Sequence, residues 1–190
     1  MRFLNFLLND MNQTGYTLIM SFCFQCGTEL HSKVPPEDTH LRLVCPSCDY
    51  IHYDNPKPVA GVIPIYKDSI LLCKRAIEPC YGLWTIPCGY LEMNETVSQG
   101  AIREAKEEAG ISVENPHLFY VYSHTDIRHI YIIFTAVLDS PVFEAGPESL
   151  SCDFFQISNL PWESLAFSSL QAVLKSFVSL YPHYNNTLCH

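Results

Sequence analysis

Residues 89–111 read GYLEMNETVSQGAIREAKEEAGI. Gly89 is followed by Glu95, then by Arg103-Glu104, Glu107-Glu108, Gly110 and the apolar Ile111. The spacing is G-x5-E-x7-R-E-U-x-E-E-x-G-U, where U is apolar, and every fixed position is filled. Each identity is expected by chance at roughly one in fifteen from average composition, so accidental agreement across all of them is negligible. Thr96 to Ala109 contains no Pro and a single Gly among good helix formers, which predicts a helix. Val97, Ala101, Ala105 and Ala109 fall at i, i+4 spacing and give it an apolar stripe. Glu104, Glu107 and Glu108 stand at i, i+3 and i+4, so their carboxylates share one face. Like charges that close repel one another; they are tolerable if solvated and useful if they hold hard divalent cations. Gly110-Ile111 ends the helix with a glycine C-cap. A merely solvated acidic face would account for E-x-x-E-E but not for the rest of the pattern.

The complete pattern is the Nudix box, and the chain resembles the Nudix hydrolases, which cleave nucleoside diphosphates linked to another moiety. The resemblance implies that Glu104, Glu107 and Glu108 ligate Mg2+ or Mn2+, that the Gly89 carbonyl adds a ligand, and that Arg103 and Glu95 pair to orient the acids. Such cations would bridge the pyrophosphate oxygens and activate a water for in-line attack on phosphorus. The chain carries a formal charge of −9, yet the implied substrate is anionic. Metals rather than basic residues would supply the attraction.

A second signal is Cys23-Phe-Gln-Cys26 with Cys45-Pro-Ser-Cys48. Two CxxC knuckles at this separation match a zinc-site spacing, and four thiolates complete a closed tetrahedral Zn2+ site with no open position, a structural one. Disulfides and CxxC redox chemistry are the alternatives. Cys73, Cys80, Cys88, Cys152 and Cys189 are scattered and the total of nine is odd, which fits a reducing compartment and a cytoplasmic location better than an oxidised framework. Between Ser21 and Pro56 the bases Lys33 and Arg42 are outnumbered by Glu29, Glu37, Asp38, Asp49 and Asp54. Phosphate-backbone binding needs clustered Lys and Arg, so no nucleic-acid partner is expected. The ribbon is expected to act as a structural lid or as a dimerisation surface, and in the second case the protein would be a homodimer.

The 190 residues, 48% of them hydrophobic and 13% aromatic, provide for a small ribbon and one domain of ordinary size. No apolar run approaches the roughly 20 residues of a membrane span, so no membrane partner is expected. Phe3 to Leu8 is apolar apart from Asn5 but too short for a signal-peptide core. Residues 1–20 are expected to be a disordered or dispensable extension, with Met20 an alternative start. The expected layout is a ribbon over 21–56, a catalytic domain over 57–184 and a tail over 185–190. Val59 to Tyr66 and Ser69 to Lys74 read as strands turned at Lys67-Asp68. His117 to His124, Ile127 to Leu138 and Cys152 to Ile157 read as further strands, and Phe167 to Tyr181 as a closing helix. Strands interleaved with two helices give a mixed sheet between helices, the α/β/α sandwich that the Nudix resemblance also implies. Gly82-Leu-Trp-Thr-Ile-Pro-Cys-Gly89 resembles the G-x-W-x-x-P-G-G approach to many Nudix boxes, with Cys88 expected as a small buried hydrophobe.

The box sets chemistry, not specificity. Zinc-ribbon Nudix enzymes that cleave NADH carry SQPWPFPxS downstream of the box, and nothing like it occurs between Val113 and Leu138. Many ADP-ribose enzymes have a Pro about sixteen residues beyond the box; here His124-Thr-Asp-Ile-Arg128 has none. From residue 21 onward the chain is most similar to the plant chloroplast FAD diphosphatases of the superfamily. The resemblance runs through Leu71-Leu-Cys-Lys-Arg75, Gly82-Leu-Trp84, Gly146-Pro-Glu-Ser-Leu150 and Ser164-Leu-Ala-Phe-Ser-Ser169, with Ser151 where an acid is expected. It implies hydrolysis of FAD to AMP and FMN, or of ADP-ribose to AMP and ribose 5-phosphate, as the small-molecule dinucleotide chemistry. NADH pyrophosphatase activity and a non-catalytic nucleotide-sensing module are the alternatives; sensors usually have damaged boxes, and this one is intact. Glu148 in its loop is a candidate further ligand or general base, against the reading of an ordinary loop acid. Arg75 either contacts substrate or braces the loop around Gly82.

Overall fold

The computed structural model describes residues 22–184, with side chains through Tyr181. The expectations for residues 1–20 and 185–190 lie outside the described residues. The chain divides into two compact units that part between Asn55 and Pro56.

The first unit is an antiparallel sheet of three short strands, β1 (His31–Lys33), β2 (Arg42–Val44) and β3 (Ile51–His52), in that spatial order. Its two knuckles share one backbone device. The Cys23 N–H donates to the Thr28 carbonyl at 2.8 Å and the Cys45 N–H to the Tyr50 carbonyl at 2.8 Å, while each cysteine's carbonyl accepts an N–H four residues on, from Gly27 and Asp49. Those two residues have φ of 71° and 57°, the left-handed turn that folds each CxxC back on itself. Arg42 is committed locally: its Nε donates to Asp38 at 3.0 Å and its guanidinium lies 5.0 Å from the Tyr53 ring centroid.

The second unit is built on a seven-stranded mixed sheet. Its strands are β4 (Lys57–Tyr66), β5 (Ser69–Arg75), β6 (Trp84–Thr85), β7 (Cys88–Tyr90), β8 (His117–His124), β9 (His129–Val137) and β10 (Ser149–Gln156). The main path runs β10-β5-β4-β9-β8, with β6 against β5 and β7 against β4. β4 and β9 pair in parallel and the other pairs are antiparallel. Helix α1 (Val97–Ala109) and helix α2 (Ser168–Tyr184) supply the outer layers, with two single-turn 3-10 helices before α2. Strand alternation sorts the core into two slabs. Ala60, Val62, Leu71 and Cys73 pack with Ala101, Ala105 and Ala109 of α1. Ile63, Ile65, Ile70 and Leu72 pack with Leu170, Leu174 and Phe177 of α2. This is the expected α/β/α sandwich. The alanine stripe brings α1 close to the sheet, and that approach sets the depth at which its glutamates sit.

Several element limits differ from those expected from the sequence. Thr96 is the N-cap of α1 and not its first turn: its hydroxyl accepts from the Gln99 N–H, and Gln99 Oε1 accepts from the Thr96 N–H at 2.7 Å, a reciprocal capping box. Arg128 has φ 52° and turns the chain between β8 and β9, so β9 begins at His129. β10 begins at Ser149, because Ser149 pairs with Arg75 across a bulge.

Candidate active site and metal centre

Strand β7, the segment leading into α1 and the loops before β6 and β10 meet at α1. Gly89 lies under the Glu104 carboxylate so closely that a Cβ there would overlap it; only glycine leaves room for that approach. Arg103 then ties the box together. Its Nε and Nη2 bind both Glu95 oxygens at 3.1 and 2.9 Å, its Nη1 donates to Glu104 at 2.7 Å and to Glu107 at 3.1 Å, and Nη2 also donates to the Tyr90 carbonyl at 3.0 Å. Such a fork is the geometry a planar guanidinium provides and a lysine does not. Glu95 also accepts the Glu92 N–H at 2.8 Å, and Arg103 with that bond holds its carboxyl below the usual range.

The glutamates differ in depth. Glu104 and Glu108 are buried, whereas the Glu107 side chain is 59% exposed. Glu108 accepts the Cys88 N–H at 3.2 Å. Burial pushes its carboxyl up to about 8, helped by the charges of Glu104 and Glu148. Burial likewise raises Glu104, against the pull of Arg103.

Glu148 reaches this neighbourhood because its loop docks on the end of α1. Gly146 and Glu144 donate their N–H groups to the Glu108 and Ala109 carbonyls at 3.0 and 2.9 Å, and the Glu148 carbonyl accepts from the Ala76 N–H at 2.8 Å. Gly110, at φ 65°, caps the helix by donating to the Lys106 carbonyl and leaves room for Glu144. Arg75 braces the neighbouring loop: its backbone bonds Leu83 and Gly82, its Nε donates to the Pro79 carbonyl at 2.9 Å, and its guanidinium lies 5.2 Å from the Phe167 ring centroid. Its charge is still felt by Glu108, whose pKa it pulls down. Cys88 is partly buried and its thiol is pushed up to about 12 by desolvation and by Glu108, far from a reactive thiolate.

The structure thus brings Glu95, Arg103, Glu104 and Glu107 into one hydrogen-bonded knot, with Gly89, Glu108 and Glu148 beside it. Sequence reading missed the Tyr90 carbonyl and the Cys88 N–H, which are backbone groups and carry no residue signature. It also missed Gly146 as the docking residue, although Gly146-Pro-Glu-Ser-Leu150 had marked the loop. The carboxylates around α1 outnumber the guanidiniums of Arg103 and Arg75. Glu104 and Glu108 are raised first by burial and then by neighbouring carboxylates, and a cluster of carboxylate oxygens in excess of cationic partners fits a hard cation bound by oxygen.

In the first unit the Sγ atoms of Cys23, Cys26, Cys45 and Cys48 all lie within 4.8 Å of one another. The close pairs are Cys23–Cys48 and Cys26–Cys48 at 3.6 Å and Cys26–Cys45 at 3.4 Å. Tetrahedral zinc with its usual sulfur distances places ligand sulfurs about 3.8 Å apart, whereas a disulfide needs about 2 Å. The thiols are unpaired, so the four sulfurs could hold one metal ion and are too far apart for a disulfide.

A sandwich whose helix carries this arginine-tied carboxylate cluster, preceded in the chain by a four-cysteine ribbon, is the architecture against which known proteins can be compared. The NUDIX domain profile matches residues 55–175, and a Nudix N-terminal zinc-ribbon profile matches residues 21–54. The chain belongs to the Nudix family. The crystal structure of a NUDIX hydrolase from Nitrosomonas europaea is 44% identical with a TM-score of 0.82, covering 86% of this chain and 93% of that one. An ADP-ribose pyrophosphatase of Methanocaldococcus jannaschii is 34% identical over 125 residues, covering 63% of this chain and 71% of that protein. The NAD-capped RNA hydrolase NudC of Stutzerimonas stutzeri is 26% identical over 161 residues, which is 84% of this chain and 55% of that protein. This chain spans about half the length of the NudC proteins it matches.

Proposed function

We propose that this chain is a metal-dependent pyrophosphatase that hydrolyses the phosphoanhydride of a dinucleotide-like substrate. FAD, cleaved to AMP and FMN, and ADP-ribose, cleaved to AMP and ribose 5-phosphate, are the preferred candidates. The observation that carries the reading is the Glu104 carboxylate seated on Gly89 beside buried Glu108, in a cluster whose negative charge Arg103 only partly offsets. Glu104, Glu107, Glu108 and the Gly89 carbonyl would hold Mg2+ or Mn2+. Bound there, the cation would neutralise pyrophosphate charge and raise the acidity of an attacking water. Arg103 and Glu95 are positioning residues that keep the acids turned toward the substrate. Glu148 accepts the proton of the attacking water. The ribbon, proposed as residues 21–56, holds one structural Zn2+ on its four cysteines; residues 57–184 form the hydrolase domain. The unpaired thiols among the described residues support a reducing, cytoplasmic setting. Among the described residues no helix is long and apolar enough to cross a membrane.

The FAD preference rests on the motifs shared with the plant chloroplast enzymes, and the ADP-ribose candidate is supported by the similarity to an ADP-ribose pyrophosphatase. NADH cleavage is the second reading, favoured by the similarity to NudC and opposed by the missing SQPWPFPxS. Purified protein with Mg2+ or Mn2+ should be screened against FAD, ADP-ribose, NADH, CoA and nucleoside triphosphates. Release of AMP from FAD or ADP-ribose with the highest kcat/KM is expected. Binding without turnover of any of them would replace the enzyme by a nucleotide sensor.

A further inference from the structure

Outside the ribbon, the structure brings two cysteines together in the slab under α1. Cys73 of β5 and Cys152 of β10 stand directly opposite each other in the antiparallel ladder, and their Sγ atoms lie 3.4 Å apart. Both are buried and pack with Ala101, Ala105 and Ala109. Directly paired residues of an antiparallel ladder have Cα atoms about 4.5 to 5.5 Å apart, within the span of about 4.4 to 6.8 Å that a disulfide bridges. Closing the bond takes the sulfurs from 3.4 Å to about 2 Å.

The place of the pair in the sheet gives an oxidant a route in. β10 ends the sheet path, with β5 as its neighbour. Its ladder is interrupted between Ser149 and Ser151, next to Cys152, and Leu150 there is 46% exposed. An edge strand beside a bulge is a part of a sheet that opens locally with little loss of contact, and opening there uncovers Cys152. The sulfurs also touch the end of α1. Cys73 Sγ lies 4.0 Å and Cys152 Sγ 3.6 Å from the Glu108 carbonyl oxygen. That carbonyl is in the last turn of the helix, where no further helical N–H follows to take it, and it also accepts the Gly146 N–H at 3.0 Å. Two rungs along the same ladder Ser149, which follows Glu148 in the chain, pairs with Arg75. A change at the sulfurs therefore reaches both the end of α1 and the loop that carries Glu148.

We propose that Cys73 and Cys152 are a redox-sensitive modification site, at which a peroxide closes a reversible disulfide that loosens the Glu148 loop from α1. The effect on turnover rests on the pyrophosphatase reading; the bond itself does not. With hydrogen peroxide as oxidant, the Cys152 sulfur attacks one peroxide oxygen, the O–O bond breaks, and a sulfenic acid and one water form. The Cys73 sulfur then attacks the Cys152 sulfur. The S–S bond forms as the S–O bond breaks, and the departing hydroxide takes the Cys73 proton as a second water. Two thiols lose two electrons in all, and one peroxide is reduced to two waters. The disulfide has no S–H to offer the Glu108 carbonyl, and it draws β10 toward β5 beneath that carbonyl. In a reducing setting the pair stays as thiols and the enzyme stays active; a dithiol reductant returns the oxidised pair to that state.

The test treats the purified full chain with hydrogen peroxide, in parallel with Cys73→Ala and Cys152→Ala. Free thiols are then blocked with iodoacetamide, and the peptides are mapped by mass spectrometry without reduction. A peptide joined through Cys73 and Cys152 is expected in the unaltered chain, with a fall in kcat on ADP-ribose of about tenfold that dithiothreitol reverses. Both variants should keep their untreated kcat through the same treatment, which separates this pair from oxidation of the ribbon or of Cys88. The joined peptide and its reversal are read on the unaltered chain, so the test stands even where a variant fails to fold. Absence of the joined peptide overturns the inference. So does a joined peptide with unchanged kcat, or an equal loss of activity in the variants. If the reduced, unaltered chain hydrolyses nothing, the pyrophosphatase reading fails, and the joined peptide alone decides the modification site.

Discussion

Gly146 donates its N–H to the Glu108 carbonyl at 3.0 Å, and its Cα lies so close to the last turn of α1 that a Cβ would overlap the Glu107 carbonyl oxygen. The loop that carries Glu148 is thereby clamped to the helix that carries the other acids. Gly146→Ala should force the loop off the helix. We expect a loss of about 2 kcal/mol in urea unfolding, as for other overpacked contacts, and a fall in kcat of about tenfold as Glu148 loses its place. Unchanged stability and turnover would show that the clamp does not matter.

Glu108→Gln should lower kcat at least about a hundredfold, since it removes a charge and little volume from the candidate metal site. Its stability should have a distinctive pH dependence. The folded carboxyl keeps its proton up to about 8, against an ordinary value near 4.5. Between those values the folded state holds the proton and the unfolded state does not, so stability from this group falls as pH rises through the window. Glutamine has no proton to lose. In buffer free of Mg2+ and Mn2+, melting temperatures from pH 5 to 9 should decline more steeply for the unaltered protein than for the variant. Parallel curves would refute the burial of this carboxyl.

The thiol of Cys88 sits beside Glu108 with its pKa pushed up to about 12. It is a poor nucleophile at neutral pH. Cys88→Ala should keep kcat within about threefold of the unaltered enzyme. Loss of activity in that variant, with the fold retained, would give the thiol a catalytic role.

The ribbon should hold about one zinc per chain, independent of added Mg2+. Elemental analysis of purified protein checks this. A zinc-free sample, or an intact mass showing two disulfides, would contradict the four-thiolate site.

Much of this was legible in the sequence where a local pattern decides a local structure. The 3.6-residue stripe Ala101, Ala105, Ala109 gave α1 and its buried face, and Gly110 gave its end. The hairpin at Lys67-Asp68 followed from two apolar runs and a short polar turn. The pairing of Arg103 with Glu95 followed from the box. Strands β6 and β7 were not legible, because two- and three-residue strands exist only through the partners β5 and β4 lend them. The graded exposure of Glu104, Glu107 and Glu108 was hidden for a similar reason: one helical face does not reveal how far the sheet and the loop at Gly146 rise beside it. Arg75 shows the limit most plainly: its sequence context carried no sign of its Nε bond to Pro79 or its contact with Phe167.

The central claim is that water attacks phosphorus within a pyrophosphate. Carboxylates on successive turns of α1 can hold cations against adjacent phosphoryl groups, but they offer nothing to a glycosidic bond. The decisive measurement is ADP-ribose hydrolysis with Mg2+ in 18O-labelled water, followed by mass spectrometry of the products. The account predicts AMP and ribose 5-phosphate, with the label in the phosphate of one of them. Free adenine or inorganic phosphate as the primary product, or label outside a phosphate group, would contradict it.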